Sequence, residues 1–377
     1  MNPEAALLGL RKGLRGLEVM KVIIAGGGTG GHLYPGIALA RAILRTGGNE
    51  VLFVGTREGI EARVLPKEEL PVRFISAGKI KGMGAGAVLK SSMLIPFGLI
   101  QSFLLLKEER PDIVVGVGGY ASAPISAAAW LKRIPLIIIE PNSYPGLANR
   151  MLGRIADMIL LPFPGSDIRG YFPSAKTVTT GPLVREGIEH GDRMKPIREY
   201  GLDPAGFTVL VFGGSGGAHA INAVMIKAAA LIKKISDIQV IHQTGDKDAE
   251  EVKKAYMEAG LRAVVLPYIY DMASAYAAAD LVVSRSGATT IAELAVCGKP
   301  AVLIPYPFAA DNHQEYNART LASYGAATVI PQSELTPERL MKEMEAYRAR
   351  RGETRPIMSS DADRKIVRLI ADYVQAD

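Results

Sequence analysis

KVIIAGGGTGGHLYPGIALARAIL, from Lys21 to Leu44, sets a short apolar run before a glycine-crowded turn, one histidine and a helical stretch. That order reads as strand 21–25, loop 26–34 and helix 35–45, the opening unit of a parallel α/β sheet. The turn presents bare backbone N–H groups at the positive end of a helix, where phosphate oxygens bind well. It also places one titratable imidazole, His32, beside whatever sits there. A dinucleotide-binding turn has the phosphate cradle but no need of the histidine.

The unit recurs. After about 185 residues, FTVLVFGGSGGAHAINAVMIKAAALI gives strand 207–212, loop 213–218 and helix 219–234, and IQVIH gives a strand at 238–242. DIVVGVGG, PLIIIEPN and DMILLP in the first half, and RAVVLPY, ADLVVSRSG and PAVLIPYP in the second, read as further strands between helices. They are β-branched and apolar without alternation, as parallel strands covered on both faces are. The chain is therefore expected to be α/β, with two Rossmann-like domains facing across a cleft. Their join is expected near 179–187, around TGPLVREG, where glycine and proline break the pattern. Ligands of such sheets bind beyond the carboxyl ends of the strands, so the loops there would line one cleft.

Bulk properties fit this. A chain of 377 residues is long enough for two cores, and 48% apolar with 22% charged residues is globular. The single cysteine, Cys297, leaves no internal disulfide framework and nothing that argues for secretion. In its alanine-rich apolar stretch it reads as a small core residue. No C-x-x-C and no clustered histidines point to a metal. The first nineteen residues read as an extension that adds little to the fold, not as a signal peptide.

The net charge of +6 and pI near 9.2 suit nucleic acid, an acidic membrane or a polyanionic substrate. Aromatics make up only 6% and do not interleave with basic residues, which argues against nucleic acid. Part of the excess is local. Arg73, Lys79, Lys81, Lys90, Lys107 and Arg110 stand against Glu108 and Glu109, six against two, around the uncharged stretch SSMLIPFGLIQSFLLL at 91–106. Those sixteen residues are too short for a membrane span, which needs roughly 20. They read either as a core helix or as an interfacial patch, with apolar side chains in lipid and lysines at anionic headgroups.

Gly26, Gly28 and Gly31 satisfy G-x-G-x-x-G, a weak match alone. A dinucleotide site also needs an acid at the end of the second strand, where VLFVGTREG places Gly55 and Thr56. Glu58 follows, and Arg57 would suit a 2′-phosphate, so an NADP enzyme stays open, as does a turn that only packs helix on strand. GVGGYASAP at 116–124 and GGSGGA at 213–218 have the same character, the second with the Ser215 hydroxyl. SRSGATTIAEL at 284–294 is the richest. The amides of Ala288, Thr289 and Thr290 start a helix there, and Glu293 about one turn on offers a carboxylate to a vicinal diol such as a ribose. The plain alternative for Glu293 is an exposed helix residue. In PYPFAADNHQEYNAR at 305–319, His313, Gln314 and Asn317 both donate and accept, as sugar hydroxyls require, and Asp311 or Asn312 would cap the helix.

GGGTGGHLYPGIALA, GVGGYASAP, EPNSYPGLANR, VFGGSGGA, HQTGD, SRSGATTIAEL and DNHQEYNAR, in this order, resemble the MurG family from about Met20 to the C-terminus. Those enzymes are the UDP-N-acetylglucosamine–undecaprenyl-pyrophosphoryl-muramoyl-pentapeptide N-acetylglucosaminyltransferases of peptidoglycan synthesis. The resemblance implies a GT-B glycosyltransferase that inverts the anomeric carbon, without an essential bound metal and with no cofactor. It implies UDP-GlcNAc on the second domain and lipid I on the first. It also implies a peripheral protein at the anionic cytoplasmic face of the inner membrane, with other cell-wall synthesis proteins as candidate partners. The domains would be 20–180 for the acceptor and membrane and 181–350 for the donor, after the 1–19 extension, with a helix in 351–377 packing back on the first domain.

Residue by residue, the family's TGGH turn is matched by Thr29, Gly30, Gly31 and His32, and its sugar-contacting asparagine by Asn142. Arg185 matches the interdomain arginine, Ser215 the nucleotide-binding serine and Ile269 the isoleucine beside the uracil. Ala288, Thr289, Thr290, Ile291, Ala292 and Glu293 match the stretch around phosphate and ribose, and Gln314 the glutamine that reads sugar hydroxyls. The chain departs from the family with Ile139, Glu140 and Pro141 before Asn142 in place of H-E-Q, with Gly216 for a glutamine, and with GPLVR for G-N-P-V-R. Inverting transfer needs a base for the acceptor hydroxyl and a stabiliser for the departing diphosphate. His32, with an ordinary pKa near 6.5, is expected to be that base or to orient the acceptor. Glu140 is the rival base, or else a structural hydrogen-bond acceptor.

Overall fold

The computed structural model describes residues 19–78, 85–164, 170–235, 237–352 and 355–376, with only the backbone over 85–95 and at 376. The first sheet has strands β1 (Lys21–Gly26), β2 (Glu50–Gly55), β3 (Val72–Phe74), β4 (Ile113–Gly118), β5 (Leu136–Ile139), β6 (Met158–Leu161) and β7 (Thr177–Thr179). They are parallel, in the order β3-β2-β1-β4-β5-β6-β7. The second holds β8 (Phe207–Phe212), β9 (Ile238–Gln243), β10 (Ala263–Leu266), β11 (Leu281–Ser284), β12 (Ala301–Leu303) and β13 (Ala327–Val329). These are parallel too, in the order β10-β9-β8-β11-β12-β13. Each order reverses once, between β1 and β4 and between β8 and β11, and such a switch point opens a ligand crevice.

Side chains along each strand alternate between two covered faces, which is why the apolar runs show no polar phase. Val22 and Ile24 of β1 join Leu39 and Ile43 of the Gly30–Arg45 helix in one core. Ile23 and Ala25 face the other way, onto Ile125 and Ala129 of the Ser122–Leu131 helix. The second sheet repeats this, with Val209 and Val211 on the His219–Lys233 helix and Leu210 and Phe212 on the Ala288–Cys297 helix. Cys297 lies at the edge of that last core, and burial first, then the Glu293 charge, pushes its thiol up to about 12. The Ala362–Ala376 helix brings Ile366, Val367, Ile370 and Ala371 into the first domain's core beside Leu39 and Ile43. Each buried isoleucine there is worth about 1.5–3 kcal/mol.

Strands β3, β7 and β13, three residues each and at the sheet edges, are absent from the sequence reading. One expectation about an element is corrected. The first helix begins at Gly30, not residue 35, so Gly31 and His32 belong to its first turn. Positive φ at Gly27 and Gly28 turns the chain, extended Thr29 caps it, and the helix then runs through Pro35. That proline has no N–H to give the Gly31 carbonyl.

The stretch at 91–106 lies within one helix, Ala85–Glu109. Leu105 and Leu106 enter the core, while Phe97, Ile100 and Leu104 are 56%, 57% and 62% exposed on one stripe. The helix thus has a core face, as the first reading expects, and an exposed apolar stripe on the other side. Lys79 and Lys81 lie outside the described residues, as does the side chain of Lys90. Among the described residues no helix is long and apolar enough to cross a membrane.

Candidate active site between the two sheets

The wall formed by the first sheet starts with a residue the sequence did not announce. Glu61 is buried, and its carboxylate accepts from the N–H of Gly28 at 2.8 Å, from the N–H of Thr56 at 2.8 Å and from the Thr56 hydroxyl at 2.9 Å. A Cβ on Gly27, Gly55 or Gly59 would lie within 2.4 Å of that side chain, so these glycines make room for it. The Gly28 N–H is therefore already spent, which takes from the dinucleotide reading the cradle it needs. The helix start, from Thr29 to Gly31, is what faces outward.

His32 stands there. Its Nδ1 is 3.2 Å from the Thr29 hydroxyl, and the nearby Gly27 backbone partly offsets the lowering of its pKa. Gly118, at φ +103°, lies so close that a Cβ would sit 2.9 Å from the ring. Burial, aided by His313 across the cleft, lowers the imidazole pKa to about 4. The ring is thus neutral at and well below neutral pH and is a weaker base than a solvated histidine.

Glu140 is saturated. One oxygen accepts from the Asn142 N–H and side-chain amide, at 2.9 and 3.1 Å, and the other from the Gly146 N–H and the Asn149 amide, both at 2.9 Å. Burial raises its pKa against those bonds. Four donors on a buried carboxylate favour the structural role, ordering the loop from 140 to 149. Asn142 reaches the cleft already engaged, its carbonyl accepting from Asn317 at 3.1 Å. Asn317 is buried and joins the two sheets, also accepting from the Ser143 N–H at 2.8 Å and donating to the Ser286 carbonyl at 3.1 Å. Beside it Tyr144 stacks on Tyr316 at 4.6 Å, and Arg150 pairs with Asp311 at 3.1 Å.

On the opposite wall the Ala288–Cys297 helix opens at an extended Gly287, with the N–H groups of Ala288, Thr289 and Thr290 at its start. A Cβ on Gly31 would come within 3.8 Å of Ala288, so the two helix starts meet across the cleft. Among the described residues the buried Thr289 hydroxyl has no hydrogen-bond partner, and it lies in a small interdomain cavity that Pro35, Glu140, Thr180 and Ala292 also line. Ile291 belongs to the core and its N–H bonds to Gly287, so its side chain does not face the cleft. Glu293 is 1% exposed rather than an open helix residue. Arg185 donates to its two oxygens at 2.7 and 3.3 Å, and the Tyr276 hydroxyl donates at 3.0 Å. The same guanidinium lies 5.8 Å over the ring of Tyr34, from the first domain.

Ser215 is exposed on the turn after β8, whereas Ile269 is buried beside Met272. Gln314 follows Asp311 and Asn312, two non-glycine residues with φ near +53°, a strained entry of the kind that gathers at functional sites. Its side-chain carbonyl accepts from the Tyr306 N–H at 2.9 Å. Tyr276 and the linking role of Asn317 escaped the sequence because they act through contacts 17 and 175 positions away, and Glu61 because its bond to the Gly28 N–H spans 33.

Beneath this wall, His242 is fully buried between the Tyr256 hydroxyl at 2.8 Å and Asn222 at 3.0 Å, and burial lowers its pKa to about 3. The folded value lies below the unfolded one near 6.5, so its contribution to stability is full above that pH and drains away as pH falls toward 3. We expect a loss on the order of 4 kcal/mol by about pH 3.5. Chemical denaturation between about pH 4 and 6 should show a pH slope smaller by about one proton in His242→Gln. An unchanged slope would place the acid sensitivity elsewhere.

The family models agree with this two-sheet division. Residues 22–161 match the glycosyltransferase family 28 N-terminal domain and residues 208–372 its C-terminal domain. A Myxococcus xanthus protein named UDP-N-acetylglucosamine–N-acetylmuramyl-(pentapeptide) pyrophosphoryl-undecaprenol N-acetylglucosamine transferase is 48% identical over 325 residues, 85% of this chain and 83% of the relative. A Geobacter sulfurreducens protein of the same name is 50% identical over 321 residues, 85% of this chain and 87% of the relative. The crystal structure of Acinetobacter baumannii MurG superposes with a TM-score of 0.75 at 31% identity, covering 94% of this chain and 99% of that one. With both domains matched and near half of the aligned residues identical, this chain belongs to glycosyltransferase family 28 and, within it, to the MurG family.

Proposed function

We propose that the protein transfers GlcNAc from UDP-GlcNAc to the C4 hydroxyl of MurNAc in lipid I, giving lipid II and UDP with inversion at the anomeric carbon. The observation that carries this reading is the near-50% identity to transferases of that name over 85% of the chain. The cleft suits the chemistry. A neutral imidazole on the first wall faces the acceptor side, where it takes or orients the proton of the attacking hydroxyl. The N–H groups at Ala288, Thr289 and Thr290, the turn at Ser215 and the Arg185 guanidinium receive the negative charge of the departing diphosphate. Glu293 takes the ribose, Ile269 lies by the uracil, and Asn142 and Gln314 read the sugar. In this reading residues 20–180 serve the acceptor and 181–350 the donor. The test is direct: purified protein with UDP-GlcNAc and lipid I should yield lipid II and stoichiometric UDP. A chain that binds UDP-GlcNAc without turnover would be a binding protein instead.

The acceptor is a polyprenyl lipid, so the protein must work at a membrane surface, on this reading the cytoplasmic face of the inner membrane. The stripe of Phe97, Ile100 and Leu104 is the apolar contact we assign to it, with the neighbouring basic excess meeting anionic headgroups. Binding to anionic vesicles should weaken as salt rises and fall at least tenfold when all three residues become serine. Equal binding by the triple variant would remove the stripe from membrane contact.

A further inference from the structure

The segment HQTGD at 242–246 has no role in the reaction as derived so far. Strand β9 ends on Gln243, in register with Phe212 of β8, so its side chain stands beside the turn that leaves β8. The Gln243 amide donates to the Gly214 carbonyl at 3.0 Å and to the Pro267 carbonyl at 3.3 Å, with the Ser215 carbonyl at 3.5 Å. The strand end is itself pinned, because Asn222, held by His242, donates to the Thr244 carbonyl at 3.0 Å.

Peptide geometry turns these carbonyl contacts into a direction for N–H groups. In a planar trans peptide the C=O points opposite to the N–H of the next residue. Carbonyls of Gly214 and Ser215 turned toward Gln243 therefore turn the N–H groups of Ser215 and Gly216 away from it. That outer side is open: a Cβ on Gly214 or Gly216 would meet nothing within 4 Å, and Ser215 is exposed. Among the described residues neither N–H has a backbone acceptor. Consecutive N–H groups on one side of a turn make an anion-binding concavity.

We propose that Gln243 is a positioning residue for a nucleoside diphosphate: its carboxamide aims the Ser215 and Gly216 N–H groups at the phosphates. The inference rests on the donor reading given under the proposed function. Because Gln243 acts through the phosphate turn, its loss should separate phosphate binding from nucleoside binding, which a general loosening of the domain would not do.

The test uses the full chain, with UDP measured by calorimetry and uridine by competition against UDP. Gln243→Leu removes the donors, and the isosteric Gln243→Glu turns a carboxylate oxygen toward the carbonyls while filling the same space. Both variants should bind UDP about tenfold or more weakly, while uridine affinity stays within about twofold. A uridine loss equal to the UDP loss overturns the proposal, as does UDP affinity within about twofold of wild type in both variants. A wild-type protein that binds neither ligand would sink the donor reading and this inference together. Wild-type binding of UDP with unaltered variants sinks the inference alone.

Discussion

Turnover should fall by about 10²–10⁴-fold in His32→Ala, the range general acid–base groups contribute, with little change in UDP-GlcNAc binding. The separation follows from placement. His32 belongs to the first turn of the Gly30–Arg45 helix, while Arg185, Glu293 and the Ala288–Cys297 helix start lie on the opposite wall, to which the donor is assigned in the proposed function. Initial rates and donor calorimetry on the same preparation check both halves, and unchanged turnover would remove His32 from the mechanism. His32→Gln divides its two possible duties, because an amide orients a hydroxyl but does not take its proton at neutral pH. A variant that keeps most of its activity would make His32 an orienting group only.

The pH dependence carries a further sign. Burial disfavours the imidazolium, so the free protein holds His32 neutral down to about 4. Since kcat/KM reports the free enzyme, its His32 limb is expected near pH 4 and the profile should be flat through neutrality. A limb centred near 6.5 would mean a solvated imidazole and contradict the desolvation that lowers its pKa.

Glu293→Gln should raise the UDP-GlcNAc KM by about 10–100-fold, the worth of a hydrogen bond to a charged group lost from the ground state. The carboxylate is already committed on both oxygens, to Arg185 and to Tyr276. A ribose diol reaching it must share or replace the guanidinium, which leaves Arg185 free to turn to the diphosphate. The glutamine keeps the shape but holds neither partner by charge, so donor binding weakens twice, at the ribose and at the arginine. The stability cost should stay below the roughly 3–5 kcal/mol of breaking a fully buried pair, because the Arg185 side chain is 36% exposed. Donor saturation curves at fixed acceptor measure the effect. Normal saturation would refute the ribose assignment.

Much of the fold was legible because its signals are local. Apolar runs such as Val22–Ala25 and Val209–Val211 are covered on both faces, and that burial shows in one dimension as uninterrupted β-branched sequence. Glycines at 27 and 28 announce a turn because φ there is positive. Edge strands of three residues were not legible, since so short a run has no composition of its own. The helix start at Gly30 was missed for a related reason. Propensity argues against two glycines in a first turn, whereas close approach to the opposite helix start argues for them.

By itself, then, the sequence determined two parallel α/β halves, the loops at their carboxyl ends and the chemical types gathered there, because each is encoded within a dozen neighbouring residues. Only the tertiary structure decided what those groups are bonded to. It spent the Gly28 N–H on Glu61, saturated Glu140 with four donors, closed Arg185 onto Glu293 and moved the His32 pKa down to about 4. The physical reason is that hydrogen-bond partners and desolvation depend on residues distant in the chain and close in space, such as Asn142 and Asn317.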